Sequence, residues 1–172
     1  MWLTGLLATL AAAGAGVDSL PNLRLEIGSS ALVSFDDEGK PRVVGEAAPS
    51  PAPGELDMLA QMLGRREEAL GANSLLVSTD LYARPVANEQ VRFSFVQIAS
   101  SGDTLLIIRN GFRQSFAYKA RIGIAGKAGM TDVCQVLPGL GSLEHWPYKI
   151  DWIEITAIHS AAWQEGDRPR CE

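Results

Sequence analysis

His145, Trp146, Pro147, Tyr148, Asp151 and Trp152 fall within one short stretch that also holds Ser142 and Glu144. Indole and phenol rings exposed on a loop can stack against sugar rings or peptide groups, while neighbouring acids or amides fix orientation by hydrogen bonds. Read as a loop over 142–152, the stretch makes His145, Trp146, Tyr148 and Trp152 candidate ligand-binding residues for a saccharide or peptide. The competing reading has Trp146 and Tyr148 close the end of the core, with their polar tips reaching solvent. Ser142, His145 and Asp151 are also the residue types of a nucleophile, its base and an orienting acid. Such triads are defined by mutual geometry and an oxyanion hole. The surroundings Gly139-Leu140-Gly141-Ser142-Leu143 lack the GxSxG elbow. The hydrolase reading therefore ranks last, and no catalytic residue is assigned.

Other chemistries find little to build on. The two histidines, His145 and His159, belong to no HExxH, and no paired CxxC accompanies them, so no metal site is expected. The acidic run Asp36-Asp37-Glu38-Gly39 lacks the alternating ligands and distant Glu of a calcium loop and reads as a hairpin tip. Gly14-Ala15-Gly16 follows no strand and lacks the third glycine of a dinucleotide fingerprint, so no cofactor is expected. A formal net charge of −5 argues against nucleic acid, whose phosphates call for a clustered basic face. Arg92, Arg109, Lys119 and Arg121 on neighbouring strands offer at most a modest basic stripe for an acidic ligand. The same residues equally serve to solvate a sheet face and discourage edge pairing.

Address comes from the two ends of the chain. Residues Met1 to Val17 carry no charged side chain, and an apolar run from Trp2 to Leu10 precedes Ala13-Gly14-Ala15. That run is short beside the roughly 20 residues of a membrane span, and the small-x-small triplet suits signal peptidase. Residues 1–15 are expected to be an export signal, although no Lys or Arg precedes the apolar run; retention as an anchor is the alternative. Cleavage would leave no stable membrane span and a periplasmic or extracellular chain. Cys134 and Cys171 are the only cysteines and belong to no CxxC, so an exported chain is expected to pair them. Closing so long a loop stabilises by roughly 4 kcal/mol in the chain-entropy description.

The positioning elements follow from side-chain phase. Leu23, Leu25 and Ile27 alternate with Arg24 and Glu26 as one strand, and Ala31 to Phe35 and Arg42 to Val44 flank the acidic tip. Prolines 49, 51 and 53 make 45–54 an extended linker. Leu56, Leu59, Ala60, Leu63 and Leu70 then fall at helical spacing, so 55–70 is expected to be an amphipathic helix docked on a sheet. Leu75 to Ser78 is a short apolar run. Val91 to Ile98, with a bulge near Phe95, Thr104 to Ile108 as a central strand, and Phe116 to Ile124 are expected to form a meander turning at Asn110-Gly111. A Gly-rich link at 126–129, strand Val133 to Leu137, and strand Ile150 to Ile158 with Ile153, Ile155 and Ala157 on one face complete the set. Seven or eight short strands carrying this much Ile, Val and Phe require a second layer. The expectation is one antiparallel β-sandwich domain over 16–172, with an immunoglobulin-like topology among those open to it, and with one inserted helix. Its partner would be a cell-envelope protein or glycan, in a structural or interaction role without catalysis.

Overall fold

A computed structural model describes residues 22–46, 56 and 86–171. Nine strands occur among them: β1 (Leu23–Glu26), β2 (Ser29–Phe35), β3 (Pro41–Glu46), β4 (Gln90–Gln97), β5 (Thr104–Asn110), β6 (Phe116–Ile124), β7 (Lys127–Thr131), β8 (Gly141–Trp146) and β9 (Trp152–Ser160). They form two antiparallel sheets, one ordered β1-β9-β6-β7 and the other β3-β2-β4-β5-β8. The chain is mainly β, as its alternating patterns require.

Alternation selects the faces. Leu23 and Leu25 are buried while Arg24 and Glu26 are exposed, and on β6 Phe116, Tyr118, Ala120 and Ile122 turn inward while Lys119 and Arg121 turn out. From the five-stranded sheet, Ala31, Val33, Phe35, Val91, Phe93, Phe95, Leu106 and Ile108 join the same core. An aromatic chain runs through it. The rings of Phe35 and Phe112 stack at 4.1 Å, and Phe116 lies 5.9 Å from Phe35, 6.2 Å from Phe93 and 6.2 Å from Tyr118. Offset and edge-on contacts at these spacings add to the burial of the rings themselves.

The five-stranded sheet is covered on its other face as well. Val96, Ile98, Leu105, Ile107 and Leu143 form a second apolar cluster, and every residue of β5 is buried. The strand expected as central at 104–108 is thus β5, which lies between β4 and β8 and is covered on both faces. The apolar cover also removes the expected bulge at Phe95. The β4–β5 register runs unbroken from Val91 to Gln97, and Val96 reverses phase because its side of the sheet is apolar too. Of the helix expected over 55–70, only Leu56 is among the described residues, and it packs against this second cluster. The linker at 45–54 apart from Gly45 and Glu46, the strand at 75–78 and the signal at 1–15 lie outside the described residues.

Several connections differ from expectation. The meander breaks at Asn110-Gly111, because β5 and β6 belong to different sheets. Asn110 donates Nδ2–H to Leu137 O (2.7 Å) and accepts Phe112 N–H (2.8 Å), which sends Phe112 into the core instead of closing a hairpin. Glycine is required here by close approach: a Cβ on Gly111 would lie 2.5 Å from Ala87 O. Strand β1 ends at Glu26, and Gly28 turns at φ 82°, so Ile27 leaves the inner face and is exposed. The link expected at 126–129 is most of β7. The strand expected over 133–137 is reduced to two isolated bridges, Phe116 with Val136 and Cys134 with Cys171. Between the Ala117–His159 and Lys119–Thr156 pairs, β9 carries one extra residue. Ala157 takes φ 49° there, so Ile158 is buried in its place.

The acidic tip is a turn, as expected. Asp36 Oδ1 accepts the backbone N–H groups of Glu38 (3.0 Å) and Lys40 (2.8 Å). The four cationic side chains do not make one stripe. Arg92 and Arg109 face each other on the outer side of the five-stranded sheet, whereas Lys119 and Arg121 lie on the outer side of the other.

Candidate functional site

The stretch expected as a loop over 142–152 is β8, a turn at 147–151 and the start of β9. Its alternation is inverted with respect to the other strands. Ser142 and Glu144 pair with Ile108 and Leu106 and turn toward the shared core, while Leu143 and His145 pair with Ile107 and Leu105 on the outer face. Polar residues can occupy inward positions only if partners satisfy them. Glu144 meets that condition through Oε1, which accepts Cys134 N–H (2.9 Å) and Tyr118 O–H (3.4 Å).

The four candidate ligand-binding residues separate into different surroundings. Trp146 is 7% exposed and fills the core, donating Nε1–H to Thr131 Oγ1 at 3.0 Å. His145 sits on the outer face with Nε2 2.8 Å from Asp103 Oδ2. Tyr148, 45% exposed, stands on the turn. That turn is pinned by Thr104, whose hydroxyl donates to Tyr148 O (2.9 Å) and accepts Ile150 N–H (3.0 Å). Trp152 belongs to the outer face of the four-stranded sheet, lying over Gly123 with the Arg24 guanidinium 4.2 Å from its ring centroid. A Cβ on Gly123 would come within 2.1 Å of that indole, so glycine makes room for the ring. Glu154 on the same face pairs with Arg121 at 3.4 Å.

The hydrolase residues are not brought together. Ser142 and His145 point to opposite faces of β8. Asp151 accepts Ala125 N–H at 2.9 Å, supporting the β6–β7 turn where Ala125 takes φ 47°. The carboxylate beside His145 is Asp103, which no sequence motif marks out.

The paired cysteines are as expected. Cys134 and Cys171 form a disulfide across 37 positions. Around it the tail is tied to the segment after β7: Gln135 N–H donates to Arg170 O (2.7 Å), and Gln135 Nε2–H donates to Ser115 Oγ (2.7 Å) and Ala162 O (3.2 Å).

The pairing of Glu144 with Tyr118 escaped the sequence reading, since a lone acid between Leu143 and His145 carries no signal of burial. Burial pushes the Glu144 carboxyl above its ordinary value, and the bonds from Cys134 and Tyr118 offset part of that rise. Tyr118 is also raised, chiefly by burial and then by the Glu144 charge. The folded chain consequently holds a proton on Glu144 at pH values where the unfolded chain has released it. Stability from this group is full below the unfolded carboxyl pKa and declines as pH rises through the folded one. In urea denaturation from pH 4 to pH 8, Glu144→Gln is expected to flatten that decline, gaining on the wild type as pH rises. A difference independent of pH would contradict it.

Among the described residues, no group of three or more His, Cys, Asp or Glu is placed to hold a metal ion, and no helix is long and apolar enough to cross a membrane. No protein-family model, curated protein or solved structure matches this chain.

Proposed function

We propose that this chain is an exported β-sandwich domain, periplasmic or extracellular, that supports or binds another cell-envelope component, a protein or a glycan, without catalysing a reaction. The observation that carries the reading is the Cys134–Cys171 bridge. It ties down the segment before Cys171, and such bonds persist where cellular reductants do not reach. The uncharged apolar N-terminal stretch adds support as an export signal. Two antiparallel sheets sharing one core, with crossings between them after β1, β5, β7 and β8, support the sandwich. The inverted alternation of β8 favours a structural role for that strand over a recognition loop, because its tryptophan is committed to the interior.

The test uses the full chain recovered from its native compartment, alkylated before and after reduction. Both cysteines are expected to resist alkylation until reductant is added, and the protein is expected in the envelope or external fraction. Free thiols at 134 and 171 in a cytosolic fraction would overturn the location. Turnover of ester, peptide or glycoside substrates that His145→Ala abolishes would overturn the non-catalytic assignment.

A further inference from the structure

The tied tail stands beside the outer ends of β6 and β9, and a cleft of about 300 Å³ opens between them. Ala117, Ala161 and Ala162 are small apolar residues of its lining, and Gln135, His159 and Arg170 are polar ones. Its size matches the small end of ligand sites, enough for a molecule of a few carbons.

Each polar group has a distinct condition. Gln135 is fully engaged, with Nε2 on Ser115 and Ala162 and Oε1 accepting Arg170 N–H at 3.5 Å, so it acts as a strut rather than a ligand group. Arg170 is held through both of its backbone polar groups by Gln135 and is followed directly by the disulfide at Cys171. Its stem is therefore anchored. Its guanidinium makes no ion pair among the described residues, whereas Arg24, Arg42, Arg113 and Arg121 each meet a carboxylate. His159 Nδ1 lies 2.7 Å from Ala157 O, a contact that places its proton on Nδ1. In that tautomer Nε2 presents a lone pair.

A cationic fork, an adjacent acceptor and a short apolar wall complement a carboxylate that carries a donor one carbon away. We propose that this cleft binds a small hydroxy- or amino-carboxylate, its carboxylate on the Arg170 guanidinium and its hydroxyl or amine on His159 Nε2. The proposal is independent of the cell-envelope reading, since it needs only the tail held in place.

The experiment titrates the oxidised full chain with L-lactate, following backbone amide signals by NMR. Lactamide, which lacks the charge, and propionate, which lacks the hydroxyl, are the comparison probes. Saturable shifts at Gln135, Ala162 and Arg170 are expected with L-lactate, with weaker binding of propionate and none of lactamide. Arg170→Gln is expected to weaken L-lactate binding at least tenfold, whereas Arg168→Gln leaves it unchanged. His159→Leu is expected to erase the preference for L-lactate over propionate. The Arg170 guanidinium makes no hydrogen bond or ion pair among the described residues, so Arg170→Gln should melt with the wild type. If that variant fails to fold, the L-lactate and lactamide comparison on the wild type decides. Shifts that never saturate, equal response to lactamide, or undiminished binding by Arg170→Gln would overturn the proposal.

Discussion

Phe116→Ala is expected to lower the free energy of unfolding by about 3 to 5 kcal/mol, the range for removing a buried phenyl ring from a packed core. Phe116 is fully buried and touches rings from both sheets: Phe35 and Phe93 from the five-stranded sheet, Tyr118 from its own. Its backbone exchanges two hydrogen bonds with Val136, so the site cannot collapse by moving the strand. A cavity therefore persists. Equilibrium urea denaturation followed by tryptophan fluorescence reads the loss as a lower midpoint at unchanged slope. Phe116→Leu retains most of the volume and should recover more than half of it. A loss below about 1 kcal/mol for the alanine variant would mean that the two sheets do not share this ring.

Opening the disulfide is the second large effect. Replacing Cys134 and Cys171 with serine together is expected to cost about 4 kcal/mol, from the chain-entropy relation for a loop of this length. The closed loop contains β8 and β9, one strand from each sheet, so the constraint bears on global unfolding and not only on the tail. The same denaturation experiment measures the global loss. Amide exchange at Gln135 and Ala161, both hydrogen-bonded in or beside the tail, reports the local one. Unchanged stability with fast exchange confined to the tail would show that the bridge restrains only the terminus.

How far these features were readable from the sequence depends on which faces are apolar. Strands β1 and β6 have one oily side and one charged side, and their phase told the truth. The turn at Asp36 and the cysteine pair were equally open to view, the first through local side-chain chemistry and the second by count. Strand β4 misled because its outer face, polar at Arg92 and Ser94, turns apolar at Val96, which mimics a bulge where the register is regular. Strand β8 was hidden by the reverse cause: its inward Ser142 and Glu144 are polar, and Glu144 is satisfied by Cys134 and Tyr118 from distant segments. Strand β7 has exposed Lys127, Ala128, Gly129 and Met130 and so no buried stripe to detect. The scatter of His145, Trp146, Tyr148 and Trp152 follows directly. Proximity in sequence suggested one surface, but successive strand residues point oppositely, and β9 belongs to the other layer. The cleft beside Arg170 had no sequence signature, because the tail reaches Gln135 only through the fold.

The pairing of β1 with β9 has a consequence for the order of events during synthesis. Leu23 finds its partner Ile155 only after all the strands between them have left the ribosome. The hairpins β2–β3 and β4–β5 form from close neighbours, yet the four-stranded layer waits for β9, which pairs with both β1 and β6. Until β9 emerges, β1 offers an unmatched edge, so the nascent chain stays open to chaperones, or to a translocation channel, while the intervening strands are made.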